Sequence, residues 1–408
     1  MRLPDALTPL QDRPFALFYT ARLVSTAGST MAPVALAFAV LEVTGSATAL
    51  GLVLAARTVP MVLFLLVGGV VADRFSRARV MQASHLLSTL TQATVATLVI
   101  TGHAHLWSLV VLEAANGTVA AFSMPAMSGI VAQLAPRSHL QQANALLSFS
   151  QSGLNVLGPT VAALLVVSVG PGWALAVDSL TWLVASALIA AVRLPGRSPG
   201  HQPSVVADLK EGWAVVAGLP WLWAVVAGFT VLNAIHAGAW LTLGPALASD
   251  TFGAGGWGLV LSAESVGVLV TTLVAMRVTL RRPLRTGMLG AGLLSLPLVA
   301  LGLDPHVVPL MLLAFLAGAG IEVFDLGWNL ALQEHVEESM LSRVYSYDAL
   351  GSFVAMPVGQ VLFGPLGGVF GYRGVLVTSS VVYLLVVLLV LCSRSVRELR
   401  RAAVDVAG

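Results

Sequence analysis

The sequence predicts an all-α polytopic membrane protein, with twelve transmembrane helices in two pseudo-symmetric six-helix bundles. Three observations carry that prediction. First, the 408 residues are 57% hydrophobic and only 10% charged, with a mean hydropathy of +0.89, whereas a soluble domain carries about 25% charged residues. Second, apolar windows of span length recur along the whole chain. Third, the polar connections of the first half recur in the second. Strands of a membrane barrel would alternate in polarity over roughly ten residues, and no segment does so.

The windows fall at about 15–40, 47–72, 79–101, 105–132, 140–168, 173–193, 221–248, 256–279, 285–303, 306–332, 343–369 and 373–393. Several exceed 20 residues, which implies tilt or extension beyond the bilayer. The opening stretch MRLPDALTPLQDRP has too short an apolar run and no small-residue cleavage site for a signal peptide. Span one is therefore expected to act as the membrane signal. Of the 21 Lys and Arg, 18 fall in the tails and the even-numbered connections. By the positive-inside rule both termini are expected in the cytoplasm. Arg outnumbers Lys 20 to 1 amid abundant Ala, Gly, Val and Leu, a composition associated with GC-rich bacterial genomes, so the expected location is a bacterial cytoplasmic membrane. The single Cys392 excludes an intramolecular disulfide.

The longest polar connection, RLPGRSPGHQPSVVADLKEG, separates six spans from six. It divides the chain into an N-terminal six-helix bundle (1–193), a cytoplasmic linker (194–219) with a short surface helix over 205–216, and a C-terminal bundle with its tail (220–408). The connection after span four, AQLAPRSHLQQANALLSFSQSGLNVLGP, has a counterpart after span ten, LQEHVEESMLSRVYSYDALGSFVAMPVG. Displaced by about 200 residues, each runs through a Gln, a polar turn, a helix start and a Pro–Gly element. Two such halves, related by an axis along the membrane normal, are a transporter signature with substrate held between them near the midplane.

Between spans two and three lies GGVVADRFSRAR, residues 68–79. Gly69, Asp73, Arg74, Arg77 and Arg79 reproduce the signature of the major facilitator superfamily at its usual place, with Ser76 where Gly is usual and Ala78 where a base is common. The chain resembles that superfamily over essentially its full length. LEVTGSATALGLVLAARTVP, QQANALLSF and LAVDSLTWLVASAL look like the branch of the enterobactin exporter and macrolide-efflux proteins, related to drug:proton antiporters. In span five, Gly153, Gly158 and Pro159 resemble the antiporter helix-packing motif, although Ala162 and Ala163 replace its later glycines. In span four, Gly117 fits the antiporter pattern, while Glu113 stands where an Arg is usual, which departs from the proton relay of those relatives. The resemblance implies that Gly69, Asp73, Arg74 and Arg77 form a conformational latch. Asp73 would cap the start of span eleven near Ser342 and Arg343, where a helix N-terminus favours an anion.

Ionisable groups inside spans are costly and mark functional sites by default. Span ten carries Glu322, Asp325, Asn329 and Gln333 at spacings of three and four, one polar stripe on one helical face. Two carboxylates one turn apart repel when both are ionised, so proton uptake by one is favoured. The plainer alternative is a structural polar network between helices. Arg22 in span one is a candidate partner for Glu322 or Asp325, as a gate or as a static ion pair. Arg57 needs a carboxylate, and Glu113 and Asp178 are the candidates. Glu264, in span eight, has no evident basic partner and reads as a coupling residue or a cavity wall. Trp240 and Trp328 are deep enough to line an apolar cavity.

No His pair stands at metal-ligand spacing, no Gly-rich phosphate loop carries a Lys, and no Ser–His–Asp arrangement is visible. The sequence therefore predicts no enzyme, no cofactor, no metal and no nucleic-acid partner. The expected function is a monomeric secondary active transporter in the lipid bilayer, exporting a small apolar or amphipathic compound (drug, antibiotic or siderophore) against H+. Export rests on the resemblance. A nutrient importer or facilitator on the same fold, or a non-transporting membrane sensor, remains the alternative.

Overall fold

The computed structural model describes residues 8–128, 130–134, 139–192, 216–275, 277–278 and 280–401; within these, the side chains at 65–74, 124–126, 128, 132–133, 141, 338–339, 342–343, 346 and 349–350 are not described. Twelve helices among the described residues are long and apolar enough to cross a membrane. They are α1 (Arg13–Thr44), α2 (Ala47–Arg74), α3 (Arg77–Ile100), α4 (Leu106–Ser128), α5 (Leu140–Val169), α6 (Pro171–Ala190), α7 (Pro220–Ser249), α8 (Gly253–Ala275), α9 (Pro283–Leu303), α10 (Val307–His335), α11 in two pieces (Glu338–Val354 and Met356–Phe370) and α12 (Tyr372–Cys392). Each lies on one of the windows read from the sequence, with ends moved by about one turn. The surface helix expected over 205–216 falls, apart from Val216, outside the described residues.

The contacts group into two compact units. One comprises Met1–Gly200 with Gly253–Ser262, and the other His201–Phe252 with Ala263–Gly408. In the first unit the principal pairings are α2 with α4, α3 with α6, and α1 with α5 and α6. Its apolar core is split in two. Phe15, Phe18, Met81, Ile130 and Ile189 make one cluster; Leu36, Val40, Leu50, Val53, Leu109 and Leu175 make the other. Buried polar groups, among them Ser25, His85, Gln92, Glu113, Asn116 and Asp178, occupy the helix turns between the clusters in sequence. In the second unit α9 packs on α10 and α12, and α7 packs on α11.

Helix backbones satisfy their own hydrogen bonds, which is what a bilayer demands. The many Ser and Thr in these apolar helices close back on carbonyls one turn earlier: Thr44 on Val40 (2.7 Å), Thr118 on Ala114 (2.8 Å) and Ser379 on Val375 (2.6 Å). This hides a hydroxyl without a second helix.

Small residues set the closest approaches. A Cβ on Gly117 of α4 would collide with the Arg57 carbonyl of α2, and a Cβ on Gly318 of α10 would collide with the Glu264 carbonyl of α8. Likewise Gly158 of α5 lies against Thr30 of α1, and Gly359 of α11 against the Ala234 carbonyl of α7. Each glycine has its counterpart one repeat length away. Both units thus contain two close helix contacts at corresponding glycines, backbone on backbone at three of them and against the Thr30 side chain at Gly158, of the kind that small residues allow in membranes.

Among the irregular stretches of the described helices, the longest is in α7. From His236 to Leu243, α7 winds as a π-helix. The Thr242 hydroxyl donates to the Ala237 carbonyl at 2.9 Å, and Trp240 is wholly buried. Such bulges are rare and concentrate at functional sites.

Candidate functional site

The second unit encloses a cavity of about 490 Å³ between α7, α9, α10, α11 and α12. One wall is aromatic. The ring of Phe324 stacks on Phe229, with centroids 3.9 Å apart and planes at 19°, and Trp328 continues the stack at 6.0 Å and 16°. Trp221 closes edge-on against Trp328 at 5.8 Å. Helical spacing places Phe324 and Trp328 on one face of α10. The opposite wall is polar and comes from α11, where Tyr345, Asp348 and Ser352 share a face and also line the cavity.

The polar stripe of α10 divides between two neighbours. Glu322 accepts from the Thr272 hydroxyl of α8 at 2.7 Å. Asp325 instead faces the cavity. Asn329 donates to the Asp325 carbonyl at 2.8 Å and accepts from the Tyr345 hydroxyl at 2.9 Å, which joins α10 to α11. Gln333 is exposed. Asp348 takes the Trp328 indole N–H at 2.9 Å and the Ser352 hydroxyl at 3.5 Å. Among the described residues the cavity lining thus contains two carboxylates, His236, Tyr345 and Tyr383, with no Lys or Arg.

Glu264 occupies a separate niche. Its Oε2 accepts from the Trp240 indole N–H at 3.0 Å, and the π-helical turn of α7 supplies that donor. Among the described residues no ion pair is formed by Glu264, Glu322, Asp325 or Asp348. A carboxylate shielded from water and lacking a cation is stabilised when it takes up a proton or meets a cationic ligand.

The first unit holds its charges differently. Arg57 Nη1 lies 3.6 Å from Glu113 Oε2; Glu113 is 0% exposed and Arg57 33%. Asp178, also buried, accepts from the Gln92 amide at 2.7 Å rather than from Arg57. Arg22 donates to Met127 Sδ at 2.7 Å and to Gln151 Oε1 at 3.3 Å, both within its own unit. The partners of Arg22 described within its unit are thus neutral. In the α5 motif, Gly153 has open space around it, whereas the Pro159 carbonyl backs onto Gly258. The neighbouring Thr160 hydroxyl shares a 2.6 Å hydrogen bond with Ser262. Both of these partners lie in the turns of α8 that group with the first unit.

Of the signature between α2 and α3, the side chains of Gly69, Asp73 and Arg74 lie outside the description, as do those of Ser342 and Arg343 at the expected cap. The α2 backbone is helical through Arg74; Phe75 and Ser76 interrupt it before α3, and Arg77 is half-buried. Two residues emerge that sequence reasoning passed over. Asp348 had a signal, since Tyr345, Asp348 and Ser352 recur at helical spacing in an apolar span. Gln92 had none, because its role depends on which helix faces it.

A family model described as transmembrane secretion effector matches residues 5–406. The chain belongs to this family of the major facilitator superfamily. It is therefore a multi-pass membrane transporter and not an enzyme. Among curated relatives, the multidrug efflux pump Tap of Mycobacterium tuberculosis is 25% identical over 367 residues, covering 86% of this chain and 87% of Tap. Macrolide efflux protein A of Streptococcus pyogenes is 26% identical over 204 residues, 49% of this chain and 50% of the relative. Among solved structures, the nucleoside transporter NupG aligns with a TM-score of 0.77 at 11% identity, covering 93% of this chain and 98% of NupG. A bacterial homologue of the lysosomal transporter Spinster aligns at 0.69 and 14% identity, over 99% of this chain and all of that one. At such identities the structures share the major facilitator fold and nothing finer.

Proposed function

We propose that this transporter is a proton-coupled exporter of small apolar or amphipathic compounds, acting as a monomer by alternating access in a bacterial cytoplasmic membrane with both termini inside. The observation that carries the reading is the cavity of the second unit. Its stacked Phe229, Phe324 and Trp328 present apolar faces, and Asp325 and Asp348 supply negative charge with no Lys or Arg among the described lining residues. Stacked rings bind flat or greasy surfaces with little hydrogen-bond specificity. Carboxylates without a cationic partner can exchange a proton as the cavity changes exposure. The efflux activity named for the Tap and macrolide-efflux relatives supports the direction.

In this reading Asp325 and Asp348 load and release the proton, and Glu264 and Glu322 tune the same region from α8 and α10. Asn329 positions Tyr345 against the cavity. Arg57, Glu113 and Asp178 hold the first unit together. Arg22 steadies α1 against α4 and α5. Gly69, Asp73, Arg74 and Arg77 act as a latch that stabilises the outward-facing state, distinct from the cavity, with Asp73→Asn expected to weaken that state.

The test is uptake of a panel of fluorescent amphipathic dyes into inverted membrane vesicles with an acidic interior. Accumulation that collapses with the pH gradient is expected. Movement in neither direction for any dye overturns the transport reading. Accumulation that survives collapse of the gradient overturns proton coupling alone.

A further inference from the structure

A second concavity lies on the first unit, between α3 and α4, with a volume of about 370 Å³. Arg79 stands at one end. Ala83 and Leu87 follow it at four-residue intervals on the same face of α3, while Val119 and Phe122 of α4 form the facing wall and Phe75 rims the top. Arg79 is exposed and Phe75 is 64% exposed. The antiparallel run of the two helices is fixed deeper down by the Ser88 hydroxyl, which donates to the Asn116 side chain at 3.4 Å. Two features make this more than a stretch of apolar surface. Among the described lining residues Arg79 is the one charged group, and it stands in the first turn of α3, where a membrane helix meets its interface. From Arg79 to Leu87 the helix rises about 12 Å, close to the roughly 15 Å hydrocarbon depth of one leaflet. Ser84, in the groove lining between these points, offers a buried hydroxyl one to two turns below the guanidinium.

We infer that this groove seats one anionic glycerophospholipid. The headgroup phosphate sits on Arg79, a guanidinium fork matched to phosphate oxygens. The Ser84 hydroxyl faces the ester region of the glycerol. One acyl chain lies past Ala83, Leu87, Val119 and Phe122. A zwitterionic lipid fills the apolar trough equally well but gains less at Arg79, because its own ammonium offsets the phosphate. The site is separate from the cavity of the second unit and does not depend on what that cavity transports.

The experiment uses the full chain in phosphatidylcholine nanodiscs carrying a trace of diazirine-tailed lipid, either phosphatidylglycerol or phosphatidylcholine, followed by peptide mapping after photolysis. Phosphatidylglycerol is expected to label α3 and α4 peptides about fivefold more than phosphatidylcholine, the advantage of one basic residue at an anionic headgroup. Arg79→Gln removes that preference and Arg79→Lys keeps it. Ala83→Trp fills the trough and lowers labelling of these peptides by both lipids, while labelling of α12 peptides is unchanged. Equal labelling by the two lipids in the wild type overturns the inference. So does a preference that persists in Arg79→Gln, or labelling of these peptides that is undiminished in Ala83→Trp, which would leave the trough with no role in seating the chain.

Discussion

Gly117 packs on the backbone of Arg57 in the first unit, and Gly318 packs on the backbone of Glu264 in the second. The contact is the same; the charges above it are not. Arg57 extends to Glu113 and neutralises it. Among the described residues Glu264 receives an indole N–H from Trp240, and Glu322, Asp325 and Asp348 of the same unit face neutral donors or the cavity. In the first unit Arg57 pairs with Glu113, while Asp178 takes the Gln92 amide. In the second, Glu264, Glu322, Asp325 and Asp348 form no ion pair among the described residues, and in the proposed function it is among these groups that charge changes. A duplicated scaffold has therefore diverged in electrostatics while its close helix contacts stayed fixed.

The comparison breaks first at the ion pair. Arg57→Met leaves the fully buried Glu113 without its cation, an expected loss of about 3 kcal/mol, seen as a lower melting temperature in detergent. Glu113→Gln costs less, because the Arg57 it strands is one-third exposed. The double variant Arg57→Met/Glu113→Met recovers most of the loss and still transports, as expected of a pair that only braces. A double variant that melts normally but no longer transports would give the first unit a coupling role.

The shared contacts come next. Gly117→Ala and Gly318→Ala each drive a methyl into a backbone carbonyl, which cannot yield as a flexible side chain can. Each is expected to destabilise by about 1–3 kcal/mol, and by similar amounts, measured as the fraction of monodisperse protein surviving a heat challenge. A large effect at one and none at the other would show that the two contacts are not equivalent. Smaller again is Trp240→Phe, which deletes the donor to Glu264 and trims a wholly buried indole to a phenyl ring. The hydrogen bond is worth about 0.6 kcal/mol and the space left behind costs about 1 kcal/mol more. The pH profile of transport should shift, because Glu264 then lacks the indole hydrogen bond. An unchanged profile would assign Glu264 to packing.

Much of this was legible in the sequence. The spans were, because a bilayer requires some 20 apolar residues in a row, and the stripe of α10 was, because its spacing is helical. The division of that stripe was not. Glu322 turns to Thr272 and Asp325 to the cavity because two different helices lie against adjacent faces of α10, and spacing along one helix is blind to what it faces. Asp348 stood at helical spacing from Tyr345 and Ser352, but the Trp328 indole that donates to it belongs to another helix and could not be read from that spacing. In HAGAWLTL the polar or glycine positions His236, Gly238 and Thr242 form no pattern that distinguishes a π-helical turn from an α-helical one. The turn is fixed by the packing of Trp240 toward Glu264 and of Gly238 against Phe363. The choice of Glu113 over Asp178 for Arg57 likewise turned on Gln92, a neutral residue that takes Asp178 instead.

The central claim is that the carboxylates of the second unit, and not those of the first, carry the proton. The most direct test is dye accumulation in inverted vesicles for Asp325→Asn/Asp348→Asn beside Arg57→Met/Glu113→Met, with equal amounts of folded protein. The account predicts that the second-unit variant loses gradient-driven accumulation by at least about tenfold while still passing dye down its own gradient, and that the first-unit variant accumulates dye at close to the wild-type rate. Full accumulation in Asp325→Asn/Asp348→Asn would contradict it.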